Sequence, residues 1–107
     1  LLIFLEGGGA CWSYATCHLV RTATATATDA GGGGILDAAN PDNPFRGWSV
    51  VYVPYCDGSV FTGDNAPDYP QGKVWHRGLS NLSTGVDVMR SLYPNPPRIV
   101  VSGSSAG

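Results

Sequence analysis

Ser105 stands at the centre of Gly103-Ser104-Ser105-Ala106-Gly107, directly after the apolar, β-branched run Arg98-Ile99-Val100-Val101-Ser102. A strand running into Gly-x-Ser-x-Gly is the pattern of a nucleophile elbow. Such a turn is sharp, and only small flanking residues fit it; Gly103, Ala106 and Gly107 meet that need. A serine hydroxyl is then held clear of the backbone, at the start of a helix whose amides stabilise negative charge. Ser105 is the candidate nucleophile, and Ser104 is expected to point elsewhere. Read alone, the motif also describes a tight turn with no chemistry.

A second group supplies the complementary chemistry. Leu1-Leu2-Ile3-Phe4-Leu5 is an apolar run of strand type, and it breaks into Glu6-Gly7-Gly8-Gly9-Ala10. Acyl transfer passes through a tetrahedral intermediate with its charge on one oxygen. Fixed backbone N–H groups hold that charge, and one such donor contributes about 3–4 kcal/mol to lowering the barrier. Glycines turn their amides toward a ligand with no Cβ in the way. The expected donors are the amides of Gly8, Gly9 and Ala106. By itself Gly7-Gly8-Gly9 reads equally as a flexible loop. Two parts of one machine in this chain order are a stronger signal than either alone.

These groups need elements to position them. Ser49-Val50-Val51-Tyr52-Val53 is a further strand candidate, ended by Pro54. A helix is expected from about Leu79 to Tyr93, with Leu82, Val86, Met89 and Tyr93 on one face. Gly85 weakens it, and Pro94 stops it. The order is strand, glycine loop, irregular region, strand, loop, helix, strand, elbow. It matches the central stretch of an α/β-hydrolase, with helical crossovers joining parallel strands.

Composition excludes more than it assigns. The 107 residues are 43% hydrophobic and 13% charged, with a net charge of −2. That balance carries no footprint for nucleic acid or an anionic membrane surface. No apolar run reaches the length of a transmembrane helix. The chain lacks an initiator methionine, begins inside a strand and stops at the elbow. It is read as an internal fragment, 1–107, of a single α/β domain whose C-terminal half is absent. Thr22 to Thr28 alternates threonine and alanine, and Gly31 to Gly34 follows. With the turn-rich stretch Asp37 to Arg46, this span reads as an irregular insertion across the mouth of the sheet.

Cys11 and Cys17 admit two readings. A local disulfide would close a short loop beside the glycines and imply an oxidising compartment. Alternatively, Cys11, Cys17 and His18 are donors of zinc type, but the sequence offers no second paired cluster. The disulfide is preferred, with no metal and no cofactor expected. Cys56 either pairs outside this stretch or is a buried thiol.

Taken together, Leu5-Glu6-Gly7-Gly8-Gly9-Ala10-Cys11-Trp12 with Cys17, Val53-Pro54-Tyr55-Cys56-Asp57-Gly58-Ser59, Phe61-Thr62-Gly63-Asp64, Arg77-Gly78 and the elbow resemble the pectin acetylesterase and Notum family. The likeness runs nearly end to end. It implies a secreted serine esterase of α/β-hydrolase fold. Members deacetylate pectin or remove a fatty acyl group from a signalling protein. The family's nucleophile and oxyanion roles carry over onto Ser105, Gly8, Gly9 and Ala106. Animal Notum proteins carry tryptophan and another large aromatic where this chain has Gly9 and Ala10. That departure favours a small acyl group such as acetyl, on an acylated polysaccharide. His76 stands before Arg77-Gly78 where phenylalanine is usual, and is read as a packing variant.

The triad order of this fold is serine, then acid, then histidine. The acid and histidine are therefore expected beyond Gly107, and His18 and His76 precede the serine. Asp57 and Asp64 follow a strand end, where open α/β sheets bind ligands; both also sit in ordinary turn pairs. Trp12 and Asp57 are the candidate substrate contacts, and Trp75 and Tyr55 are further aromatic candidates for stacking on sugar. Fold and elbow alone leave a catalytically inactive binding module, a lipid-ester hydrolase, a thioesterase and a peptidase as alternatives. Oligomeric state is not encoded in any motif.

Overall fold

A computed structural model describes residues 1–20, 23 and 33–107. Three short apolar segments form one parallel sheet: β1 (Leu2–Leu5), β2 (Val50–Val53) and, after a hairpin and a helix, β5 (Val100–Gly103). The strand order is β2-β1-β5. The first strand lies centrally, with Leu2 opposite both Val50 and Val100, and Leu5 opposite both Val53 and Gly103. Parallel pairing requires long crossovers. It brings the loops after β1 and β5 to the same C-terminal edge, though they are far apart in sequence.

Alternation sorts the strand residues between two faces. Leu1, Ile3 and Leu5 share one face with Val51 and Val53, and Met89 of the helix packs there with Tyr93. On the other face Leu2 is fully buried, and the Phe4 and Tyr52 rings stack at 5.9 Å.

The helix, α1, spans Gly78–Leu92. The expected stripe is present, with Met89 buried and Leu82 and Tyr93 half-buried, while Val86 lies at its exposed margin. Tyr93 N–H donates to the Met89 carbonyl at 2.8 Å, and Pro94 follows. Its start is close-packed. A Cβ on Gly78 would stand 2.8 Å from Phe61 Cα.

Between β2 and α1 the sequence predicts only loop. A two-stranded antiparallel hairpin is found there, β3 (Asp68–Tyr69) and β4 (Gly72–Lys73), extended by an Asn65–His76 bridge. Each strand has two residues, too short for any period to register. The turn-rich stretch after Asp37 is a series of turns held by Asn43. Its buried amide donates to the Ile35 and Asp37 carbonyls at 3.0 and 2.8 Å and accepts from Phe45 N–H at 2.9 Å. The threonine–alanine tract lies outside the described residues, apart from Ala23. Among those described, no helix is long and apolar enough to cross a membrane.

Candidate active site

The elbow begins where β5 ends. Ser104 N–H donates to the Leu5 carbonyl at 3.2 Å, and Gly107 N–H to the Ser104 carbonyl at 2.8 Å. Ser105, between them, has φ of +52° and is exposed. That region is unfavourable for a residue with a Cβ, and such strain persists only where surrounding structure imposes it. The imposition is visible in the neighbours. A Cβ on Gly103 would lie 2.5 Å from the Gly107 carbonyl carbon, and one on Gly107 would collide with the Leu5 carbonyl.

The glycine loop meets this turn directly. A Cβ on Gly7 would stand 2.6 Å from both the carbonyl oxygen and Oγ of Ser104. The expected convergence of the Gly7–Gly9 loop and the elbow on one sheet edge is therefore observed. The contact itself runs through Gly7 and Ser104, a pair that sequence reasoning did not single out. No motif spacing encodes an approach across two strands. The amides of Gly8, Gly9 and Ala106 donate to no group among the described residues.

The segment after β2 holds the glycine loop from the side. Glu6 N–H donates to the Val53 carbonyl at 3.0 Å, and Glu6 Oε2 accepts from Tyr55 N–H at 2.7 Å. Tyr55 is fully buried against Phe61. Its hydroxyl donates to the Gly9 carbonyl at 3.2 Å and accepts from Val60 N–H at 3.0 Å. Burial raises the Tyr55 phenol above its ordinary range; the Val60 hydrogen bond opposes this and the Asp57 charge adds to it. Tyr52 is raised too, by burial first and then by the hydrogen bond and charge of Glu6. Val60 and Phe61 both have φ of +55°, a second strained point beside the loop.

This arrangement corrects one expectation. Tyr55 cannot stack on a sugar, because its ring is enclosed and its hydroxyl is engaged on both sides. Asp57 is occupied within the chain. Its Oδ1 accepts from Ser59 N–H at 3.1 Å, and its Oδ2 from Ser59 Oγ at 2.7 Å and Arg77 N–H at 2.6 Å. It thereby ties the loop after β2 to the start of α1. Asp64 pairs with Arg77 at 2.7 Å. Trp12 is 72% exposed, and its carbonyl accepts from the Tyr69 hydroxyl at 2.9 Å. Trp75 is exposed, with Lys73 Nζ and Arg77 Cζ at 5.2 and 5.6 Å from the ring centroid.

Cys11 and Cys17 are joined as a disulfide, Cα to Cα 5.0 Å. The zinc alternative with His18 does not form: both sulfurs are engaged, and the His18 ring packs on Tyr14 at 4.7 Å. The histidine that does approach the sulfurs is His76. Ligand atoms of Cys11, Cys17 and His76 all lie within 4.8 Å of one another. Cys56 is free and exposed, so the buried-thiol reading fails; Asn81 Nδ2 approaches its sulfur at 3.3 Å. A cavity of about 250 Å³ opens beside the disulfide, lined by Cys11, Cys17, His18, Cys56, Asp57 and Trp75 among others.

The profile of the Pectinacetylesterase family matches residues 1–107. The chain belongs to this family. It is 36% identical to pectin acetylesterase 11 of Arabidopsis thaliana and 35% identical to pectin acetylesterase 7 of the same plant, each over 99% of this chain and 29% of the relative. It is 30% identical to palmitoleoyl-protein carboxylesterase notum2 of Xenopus laevis, over 99% of this chain and 23% of that relative. The chain thus spans less than a third of the curated relatives it matches. No solved structure matches it.

Proposed function

We propose that this pectinacetylesterase-family chain carries the nucleophile and oxyanion half of a serine carboxylesterase of α/β-hydrolase fold. The observation that carries this reading is Ser105, held at φ of +52° after β5, with the glycine loop of β1 packed on its neighbour Ser104. The parallel sheet with its crossover helix is compatible with part of that fold, residues 1–107 being one portion of a single domain.

Ser105 Oγ attacks the acyl carbonyl and gives its proton to a histidine base. That histidine and its acid partner follow Gly107 in the full-length protein. The carbonyl oxygen becomes an oxyanion held by the amides of Gly8, Gly9 and Ala106. Collapse expels the alcohol, which takes the proton from the histidine and leaves an acyl-serine. Water then adds, releases the acid and restores Ser105. The substrate is an O-acetyl ester on a pectin-type polysaccharide, and the protein acts outside the cell. Two observations support this. Pectin acetylesterases 11 and 7 of Arabidopsis thaliana, at 36% and 35% identity, are more similar to this chain than notum2 at 30%, and the disulfide suits an oxidising compartment.

The test is a pair of variants of the full-length protein, assayed on acetylated pectin and on short- and long-chain acyl esters. Ser105→Ala removes turnover by several orders of magnitude. It also abolishes labelling by a fluorophosphonate, whereas Ser104→Ala retains both. Equal losses in the two variants, or an active Ser105→Ala protein, overturn the assignment. An inert wild type that is folded points to the binding-module alternative.

A further inference from the structure

Apart from the proposed ester chemistry, three side chains of metal-ligand type meet from three separate segments. Cys11 follows the glycine turn of β1. Cys17 lies in the π-turn Ala15–Leu19. His76 lies between β4 and α1. Their ligand atoms are all within 4.8 Å of one another. The His76 backbone is pinned by two hydrogen bonds to Asn65, at 2.9 and 2.8 Å, so its ring is delivered from a fixed strand-like segment. An independent observation concerns the ring itself. His76 Nδ1 is buried and has no hydrogen-bond partner among the described residues. A buried polar atom left without a partner is costly and calls for a reason.

We propose that Cys11, Cys17 and His76 form a redox-gated site for a divalent cation of the zinc class. It is closed while the two sulfurs are joined and open once a dithiol reductant has separated them. A thiolate of the reductant attacks one sulfur of the bridge and forms a mixed disulfide. Its second thiol displaces the protein sulfur, so the reductant leaves as a cyclic disulfide and the protein holds two thiols. One cation then forms two bonds to thiolate sulfur and one to imidazole nitrogen, and two protons pass to solvent. Metal–sulfur and metal–nitrogen lengths of about 2.3 and 2.0 Å place tetrahedral ligand atoms roughly 3.5–3.8 Å apart. Reduction frees the two sulfurs to take up that spacing about the cation. Water completes the fourth position. The cation then replaces the disulfide as the cross-link at the end of the glycine loop.

The experiment uses the full-length protein with Cys56→Ser, reduced by a dithiol, freed of it and titrated with Co²⁺ without oxygen. One Co²⁺ site with thiolate charge-transfer absorption and tetrahedral bands is expected, and it should be absent before reduction. His76→Phe keeps the aromatic shape and weakens that site at least tenfold, while His18→Phe leaves it unchanged. Melting is the second readout. Zn²⁺ raises the Tm of the reduced protein but not that of the oxidised protein or of reduced His76→Phe. This holds even where reduction loosens the fold, because a cation bound only by the folded state restores it. The same Co²⁺ affinity with and without His76, a His76-dependent site already open in the oxidised protein, or no thiolate band after reduction overturns the proposal.

Discussion

Gly7 is the residue on which the two loops of the proposed ester site touch. Alanine there places a Cβ 2.6 Å from Ser104 Oγ and from its carbonyl oxygen, and the carbonyl is part of the backbone. The elbow must shift to admit it. Misplacement by about 1 Å costs catalysis on the order of 10²-fold. Gly7→Ala should therefore lower kcat by about that factor with little change in KM, measured on a soluble acetyl ester. A variant with wild-type kcat would show that the contact is not needed. Tyr55 carries a stability effect instead. Tyr55→Phe leaves the Gly9 carbonyl and the Val60 amide without their partner. The expected loss is about 1–3 kcal/mol in denaturant melts. It also alters the alkaline limb. The folded phenol is raised above its ordinary value, so the unfolded chain releases this proton first, near pH 10. The folded state then holds more protons, and stability falls as pH rises from about 10 through the folded value. Tyr52 acts in the same direction. Tyr55→Phe should make that decline shallower, and an unchanged slope would remove Tyr55 as a contributor.

Helix α1 was legible because its period is long and repeated. Four apolar residues at three- and four-residue steps, closed by Pro94, left little choice of face. Gly85 is the flaw within that pattern. It lies mid-helix, and a Cβ built on it meets nothing within 4 Å. Gly85→Ala should raise stability by about 1 kcal/mol and leave activity unchanged. Thermal melts of the two proteins decide this, and a lower Tm for the variant would refute it. The β3–β4 hairpin was not legible. Its strands are two residues each, and its place is set by the Asn65–His76 bridge rather than by any apolar alternation.

Seen as one body, the segment is extended, 50 × 27 × 18 Å, with a radius of gyration of 15.5 Å. About 13 Å is usual for 100 residues in a compact domain. Leu92, Val101, Ile99 and Val88 are 68%, 63%, 55% and 54% exposed. Both β2 and β5 are edge strands of the three-stranded sheet. Residues 1–107 expressed alone should therefore bind a hydrophobic dye, associate, and melt without cooperativity. A sharp two-state melt of a monomer would contradict this. The motifs alone determined the order of the three parallel strands and α1, the glycine loop and the family, because each motif is written in consecutive residues. Helical period determined which face of α1 turns inward. Other features needed the folded chain. The central place of β1, the Gly7–Ser104 contact, the Tyr55 hydroxyl bridge, the full engagement of Asp57 and the approach of His76 to the disulfide all join residues remote in sequence. Pairing register and packing fix such distances, and no local pattern of residue types carries them.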